Sequence, residues 1–214
     1  MHFNLWIAGA GGFGREVAAY AQDAIDAGRL TAVLAGFLDD TDADPQGYGC
    51  PLTVKGTIDG FRPQANDRVI VAVGAPAHRA AIVQRLEAVA AQFVTLVHPL
   101  AYVSAQATLG PGVIVAPFAT VGPHAVVGAH AIVNIHAGIG HDCRVGAASV
   151  ISPHAVLNGW VVVEAAALVG SSAVVTEKVT LGAECKIAAG SVVYSPVPAG
   201  ALAIGNPARL SRLE

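Results

Sequence analysis

The segment Ile139-Gly140-His141-Asp142-Cys143 places a histidine directly beside a carboxylate. Histidine can act as a base because its pKa lies near neutrality, and an adjacent aspartate raises its basicity and holds its ring. Gly159 follows eighteen residues after His141, and its bare backbone amide could receive a developing oxyanion if the two residues stacked. Together the three residues have the parts of an acyl-transfer site. A surface histidine without a catalytic role fits these residues equally well.

A repeat of six residues supplies the stacking that such a site would need. From Val103 to Val193 every sixth residue is Val, Ile or Leu, over sixteen consecutive hexads, and the fourth residue after each is small. This period matches neither a helix nor a lone strand, and it is typical of a hexapeptide parallel β-helix. Three hexads make one coil there, so residues eighteen apart lie about 4.8 Å from each other. The sequence therefore predicts that Gly159 lies next to His141.

Glycine or asparagine often follows the aliphatic residue of a hexad. The positions are Gly110, Gly122, Gly128, Asn134, Gly140, Gly146, Asn158, Gly170 and Gly182. We expect these residues at the corners of the coil, with positive φ, because both types tolerate that conformation.

Four further histidines share the slot three residues after an aliphatic position: His124, His130, His136 and His154. The stacking rule places His136 under His154, and we interpret all four as outward-facing structural or trimer-interface groups. Solenoids resembling the γ-class carbonic anhydrases hold zinc with three histidines, two of them five residues apart, as are His136 and His141. The third position is Leu100 here, so the ligand set is incomplete and we expect no metal.

The first 98 residues have a different pattern, in which predicted strands alternate with predicted helices. We expect strands at 4–8, 31–38, 68–73 and 93–97, and helices at 15–27 and 77–91. This alternation predicts a small Rossmann-like α/β domain with a parallel sheet. The sequence thus divides into an α/β domain (1–98), a β-helix (99–198) and a tail (199–214).

Three glycines in the pattern Gly9-x-Gly11-x-x-Gly14 connect the first predicted strand to the first predicted helix. Backbone amides at such a turn favour an anionic phosphate, and Asp39 follows where a carboxylate would meet a ribose hydroxyl. The motif favours a mononucleotide or a nucleotide sugar. A dinucleotide such as NAD(P) and a purely structural glycine turn remain alternatives, because only half of a full dinucleotide fold is present.

Composition excludes several classes of partner. The formal net charge of −3 does not indicate a nucleic-acid-binding surface. The longest charge-free stretch is interrupted by Gly and Pro residues, so we expect no membrane-spanning helix. Cys143 and Cys185 take small inward positions, no signal peptide is recognisable, and a cytoplasmic location follows as the expectation. With only 13% charged residues, the solenoid needs its outer faces covered, which favours a symmetric oligomer.

The whole arrangement resembles a known family. A Gly-rich α/β half-domain, this solenoid, the segment around His141 and a terminal Gly205-Asn206-Pro207-Ala208-Arg209 are similar to the sugar O/N-acyltransferases related to sialic acid O-acetyltransferase. Close relatives in that family acetylate nucleotide-linked 4-amino sugars. The resemblance implies a left-handed β-helix, acetyl-CoA as acyl donor, a homotrimer, His141 as general base, Asp142 as its partner and Gly159 at the oxyanion. We expect no covalent acyl-enzyme, because no Ser or Cys lies directly beside His141 in the repeat.

The resemblance also implies two sets of binding residues. Acceptor contacts would be Gly11, Gly12, Phe13, Asp39, Asp40, Gly74 and Asn134, and acyl-CoA contacts would be Val150, Gly170, Ser171 and Ala189, along a groove between subunits. Phe13 and Val150 replace histidines that are common in the family, so contacts to nucleotide and cofactor are expected to differ there. The function implied is N-acetylation of a nucleotide-linked amino sugar. The alternatives are O-acetylation of a sugar such as sialic acid and a non-catalytic nucleotide-binding trimer.

Overall fold

Two compact units, divided after Pro99, make up the structure, a computed structural model that describes residues 2–211. The first unit has a four-stranded parallel sheet in the order β3-β2-β1-β4 and two helices. Its elements are β1 (Phe3–Ala8), α1 (Gly12–Asp26), β2 (Ala32–Leu38), β3 (Val54–Gly56), β4 (Asp67–Val71), α2 (Pro76–Ala88) and β5 (Leu96–Val97). A short 3-10 turn, Gln46–Tyr48, interrupts the loop before β3. The prediction of a small α/β domain with a parallel sheet is confirmed.

Two elements of this unit differ from the prediction. The strand expected at 93–97 is reduced to Leu96–Val97, and Phe93 forms an isolated bridge with Val69. The strand β3 was not predicted, because its three residues have two exposed positions and no alternating pattern. The sheet is anchored by apolar residues of β1 and β2, among them Leu5, Ile7 and Phe37, which are fully buried.

The second unit is a solenoid of two-residue strands. Its first sheet contains β7 (Thr108–Leu109), β10 (Val126–Val127), β13 (Arg144–Val145), β16 (Val162–Val163) and β19 (Thr180–Leu181). Its second contains β8 (Ile114–Val115), β11 (Ile132–Val133), β14 (Val150–Ile151), β17 (Leu168–Val169), β20 (Lys186–Ile187), β22 (Leu202–Gly205) and β23 (Ala208–Ser211). Its third contains β6 (Tyr102–Val103), β9 (Thr120–Val121), β12 (Gly138–Ile139), β15 (Val156–Leu157), β18 (Val174–Val175) and β21 (Val192–Val193).

Strands β6 to β21 pair in parallel within their sheets with residues eighteen positions away, as Gly138 does with Val156. The predicted hexapeptide solenoid is therefore confirmed, and its core contains the aliphatic row from Val115 to Val193 together with Cys143 and Cys185, both fully buried. The tail is not separate from the solenoid, because β22 pairs with β20 and β23 returns antiparallel to β22. Residues 212–214 of the predicted tail lie outside the described residues.

The expected reason for the corner glycines is wrong. Positive φ occurs three residues after the aliphatic position, at residues such as His124, Asp142 and Trp160, and not at the glycines that directly follow it. Those glycines are needed for space instead: a Cβ on Gly146 would lie 2.5 Å from the backbone nitrogen of Ala165 in the next coil. Close approach of successive coils, rather than backbone conformation, selects glycine there.

Candidate active site

His141 lies at the corner that follows β12. Its Nδ1 lies 2.8 Å from Oδ2 of Asp142, and about half of its side chain is exposed. The Asp142 backbone is left-handed, with φ of 58°, and its amide donates to the carbonyl oxygen of Pro123 one coil earlier. Aspartate tolerates the left-handed conformation better than bulky residues do, so the turn can direct the carboxylate to the imidazole with little backbone strain. Asp142 occupies one ring nitrogen, and Nε2 is left for another partner.

Gly159 lies directly against the His141 ring, as the eighteen-residue spacing predicts. A Cβ on Gly159 would lie 2.6 Å from both Cε1 and Nε2 of His141, so only glycine admits the imidazole in this position. Within residues 2–211 the Gly159 amide donates to no acceptor, whereas its carbonyl accepts from the amide of Lys178. An amide without a partner beside a histidine Nε2 is an arrangement that can stabilise a developing oxyanion.

Trp160 completes the surroundings of His141 and was not singled out from the sequence. The two rings meet edge to face, with centroids 4.4 Å apart and planes at 89°. The Nζ of Lys178 lies 5.7 Å from the centroid of the indole. The open groove at this corner is lined by Thr120, Gly138, Ile139, Gly140, His141, Val156, Leu157, Asn158, Gly159, Trp160, Glu177 and Lys178. The only sequence signal for Trp160 was its place directly after Gly159.

The glycines of the turn in the first unit form two pairs with different structural roles. Gly9 has φ of +106° and would place a Cβ 2.8 Å from the carbonyl oxygen of Ala72, and a Cβ on Gly14 would overlap the Gly9 carbonyl. These two glycines are required by packing. Gly11 meets nothing within 4 Å and Gly12 only the end of Arg15, so neither is needed to fit the protein itself. Their open sides face a groove at the start of α1, where no side chain caps the helix.

Asp39 connects the end of β2 to this turn. Its Oδ2 accepts from the Ala10 amide at 2.6 Å, and its Oδ1 accepts from the Thr41 amide and hydroxyl. Partial burial raises the pKa of Asp39, but the Thr41 hydroxyl and the two backbone amides outweigh it, so the pKa lies below its usual value. Asp39 is therefore an anion that organises the loop and still lines the groove.

The remaining predicted acceptor residues of this unit line the same groove. Asp40 accepts from the Ile58 amide at 2.9 Å and pairs with Arg85 at 2.7 Å. Phe13 and Gly74 also line the groove, and His78 and Arg85 join them without having been predicted. The structure thus brings together the six residues Gly11, Gly12, Phe13, Asp39, Asp40 and Gly74.

A buried arginine supports the loop before α2. Arg79 is fully buried, and its Nε donates to the Val73 carbonyl at 3.0 Å. Neither terminal nitrogen has a hydrogen-bond partner within residues 2–211, and burial lowers the pKa of Arg79 to about 9. Its hydrogen bond fixes the carbonyl that precedes Gly74. No sequence pattern distinguished this arginine from a surface residue of α2.

The predicted cofactor residues lie at a different corner from His141. Gly170, Ser171 and Ala189 follow strands of the second sheet, and a Cβ on Gly170 would lie 2.7 Å from the Ala189 nitrogen. Asn134 follows β11 at the same corner, and its Oδ1 accepts from the Ile135 amide. Val150 points outward from β14 but is only 4% exposed. A single chain therefore does not bring these residues to the groove of His141.

The remaining histidines follow the stacking prediction in part. His136 and His154 stack with centroids 4.7 Å apart, and Phe118 stacks on the other side of His136 at 4.9 Å. His130 was expected to face outward, but it is 6% exposed because Gly112 leaves room for its ring against the backbone. Within residues 2–211 no group of three His, Cys, Asp or Glu side chains could hold a metal ion.

Comparison with known proteins agrees with the division into two units. Residues 4–86 match the family described as the PglD N-terminal domain, and residues 160–195 match the hexapeptide repeat of succinyl-transferase. No curated protein matches the chain by sequence. An α/β domain joined to a hexapeptide solenoid with a histidine corner defines an acyltransferase class.

Solved structures narrow this class. The acetyltransferase domain of PglB from Neisseria gonorrhoeae is 30% identical, with a TM-score of 0.87 over 98% of this chain and 100% of that one, and it is also known with acetyl coenzyme A. PerB from Caulobacter crescentus, in complex with CoA and GDP-perosamine, is 30% identical, with a TM-score of 0.87 over 98% and 97%. WeeI from Acinetobacter baumannii is 25% identical, with a TM-score of 0.83 over 97% and 99%. The chain belongs to this family of hexapeptide-repeat sugar acetyltransferases with a PglD-type N-terminal domain.

The helices give no indication of a membrane-spanning segment. Within residues 2–211 none is long and apolar enough to cross a bilayer.

Proposed function

We propose that the protein transfers the acetyl group of acetyl-CoA to the amine of a nucleotide-linked amino sugar. The observation that carries this proposal is the corner at which Asp142 holds Nδ1 of His141 and Gly159 lies against the ring, with an amide that has no acceptor among residues 2–211. The similarity to PerB, which is described with CoA and GDP-perosamine, supports an amine as the acceptor.

In the proposed mechanism, the amine nitrogen attacks the thioester carbonyl while Nε2 of His141 takes a proton from it. Asp142 accepts the Nδ1–H hydrogen bond and stabilises the imidazolium that forms. The Gly159 amide donates to the oxyanion of the tetrahedral intermediate. When the C–S bond breaks, the imidazolium returns its proton to the CoA thiolate, and an amide and CoA are released.

Direct transfer is favoured over a covalent acyl-enzyme. Cys143 is the cysteine nearest in sequence to His141, but it is fully buried and its Sγ donates to the Asn158 carbonyl. Burial raises the pKa of Cys143, which disfavours the thiolate that acyl transfer would need. Of the described residues, those that line the groove of His141 include no serine. Attack by the acceptor on the bound thioester is then the simpler route, with positioning supplying much of the rate.

The groove of the first unit is proposed to hold the nucleotide. The uncapped start of α1 and the open sides of Gly11 and Gly12 favour the diphosphate, because helix N-termini attract anions and glycine allows close approach. The carboxylates of Asp39 and Asp40 would repel phosphate, so they suit the hydroxyl and N–H donors of the nucleoside. We retain Phe13 and Gly74 as further contacts of the nucleotide sugar.

The cofactor residues lead to a proposed homotrimer. Gly170, Ser171 and Ala189 lie at another corner than His141, so a CoA groove that uses both needs two copies of the chain. Outward positions of the third sheet support coverage by a neighbour because they carry no charge: Tyr102, Thr120, Gly138, Val156, Val174 and Val192. In this arrangement Asn134 and Val150 stay in the proposed acceptor and cofactor sets, respectively.

The test is thiol release from acetyl-CoA with nucleotide-linked 4-amino sugars, with sialic acid and simple hydroxyl sugars for comparison. We expect release with an amino sugar, and His141→Asn should lower kcat by about 10²–10⁴, the usual contribution of a general base. His2→Asn, at an exposed histidine that lines neither groove, is the control and should keep wild-type turnover. Thiol release only with hydroxyl sugars would show that the acceptor group is a hydroxyl and not an amine. An unchanged His141→Asn enzyme would contradict the mechanism.

A further inference from the structure

The fold does not require a tryptophan at position 160. Trp160 occupies the left-handed slot of its hexad, with φ of 58°, and the same slot in other hexads holds residues as different as Gly112, Phe118 and Lys178. Glycine, asparagine and aspartate adopt this conformation most easily, and a bulky side chain is unfavourable there. The solenoid corner admits many residue types and does not itself select an indole, so the reason for Trp160 is sought in its surroundings.

Packing within the chain accounts for only part of the indole. Its ring meets the His141 imidazole edge to face at 4.4 Å, yet 51% of the residue is exposed. The exposed part lines the groove of His141, beside the apolar outer surfaces of Gly138 and Val156. The indole therefore presents an exposed aromatic surface directly beside the proposed base.

The electronic character of the indole indicates what it could bind. The face of an aromatic ring carries partial negative charge, so it attracts cations and polarised C–H groups. One cation, Lys178, already lies 5.7 Å from the ring centroid. A pyranose ring has one face of axial C–H groups, each polarised by the neighbouring oxygen atoms, and such a face is complementary to an indole.

We propose that Trp160 is a specificity-determining residue that stacks on the C–H face of the acceptor sugar and so presents its amine to Nε2 of His141. This inference rests on the proposed function, since it names how that same site recognises the sugar. The stacked sugar contacts the indole, while the edge-to-face contact keeps the imidazole oriented. Recognition of the nucleotide is a separate matter and belongs to the other unit.

Steady-state kinetics provide the first test. Trp160→Asn suits the left-handed turn, so it should fold, and we expect it to raise the KM of the amino-sugar acceptor about tenfold, the upper range of an aromatic contact, with the KM of acetyl-CoA unchanged. Trp160→Phe should retain most of the affinity. Glu184→Asn, a substitution in the same left-handed slot at a corner that follows the first sheet, is the matched control and should not change the acceptor KM. A fall in kcat alone in Trp160→Asn would overturn stacking in favour of a purely structural role.

Fluorescence provides a second test that does not depend on turnover. The chain has two tryptophans, so Trp6→Phe leaves Trp160 as the only indole. We expect its emission to change when the nucleotide-linked amino sugar binds, and not when the nucleotide alone binds. An equal response to both ligands, or to neither, would overturn the proposal. Thiol release by the wild-type enzyme with the same sugar is measured in parallel, so failure of the proposed function is recognised separately.

Discussion

His141 presents one ring nitrogen to the groove because the other is held by Asp142. The sequence predicted this pair and its stacking on Gly159, since a period of six converts a spacing of eighteen residues into contact between coils. It did not predict Trp160, because the orientation of a side chain beside the imidazole depends on the φ of 58° at that residue. The residue types of a single sequence do not show which position of the hexad has a left-handed backbone.

Asp39 allows the nucleotide groove to be tested at the level of one residue. We expect Asp39→Ala to raise the KM of the nucleotide sugar about tenfold, because the loss of one hydrogen bond typically weakens ligand binding by about that factor. The KM of acetyl-CoA should not change. Steady-state kinetics with each substrate varied in turn measure both constants.

The control for this experiment is Asp42→Ala, an exposed carboxylate of the same loop outside the groove. It should leave both constants at their wild-type values. Asp39 also binds the Ala10 and Thr41 amides, so thermal melting is recorded for each variant. A lower melting temperature with an unchanged acceptor KM would favour the structural interpretation of the glycine turn.

At the scale of elements, the hexapeptide repeat was far easier to predict than the α/β domain. Sixteen hexads repeat one pattern, so the small inward positions and the parallel pairing follow from the sequence. The strand β3 and the short β5 lack any such repetition, and their pairing partners determine their bounds. Propensity is weak for such short segments, where tertiary contacts decide.

The corner glycines give a prediction at the same scale. Gly146→Ala would place a methyl group 2.5 Å from backbone atoms of Glu164 and Ala165, which are not free to move as a flexible side chain would. We expect a loss of about 1–3 kcal/mol in the free energy of unfolding, the usual cost of overpacking. Gly56→Ala is the control, because its Cβ would meet nothing within 4 Å. Equal stability of the two variants in denaturant titrations would show that the coils can separate without cost.

For the whole molecule, the decisive feature is that the proposed base and the proposed CoA contacts lie at two corners of one solenoid. His141 follows a strand of the third sheet, and Ser171 follows a strand of the second. No rotation of a side chain brings one corner to the other. A cyclic trimer would solve this by placing the first corner of one copy beside the second corner of the next, a head-to-tail contact that closes after three copies.

This arrangement predicts complementation between two inactive variants. In Ser171→Tyr the added ring should block the CoA groove, and in His141→Asn the base is missing, so each variant alone should release little thiol. A trimer with two chains of one variant and one of the other has an intact His141 facing an intact Ser171 at one of its three interfaces, so the mixed species should restore roughly a third of wild-type activity. Differently tagged chains allow the mixed species to be purified, and light scattering checks for a mass three times the 21.6 kDa of one chain. An inactive mixed trimer would contradict a groove shared between two chains, and each groove would then have to be completed within a single chain.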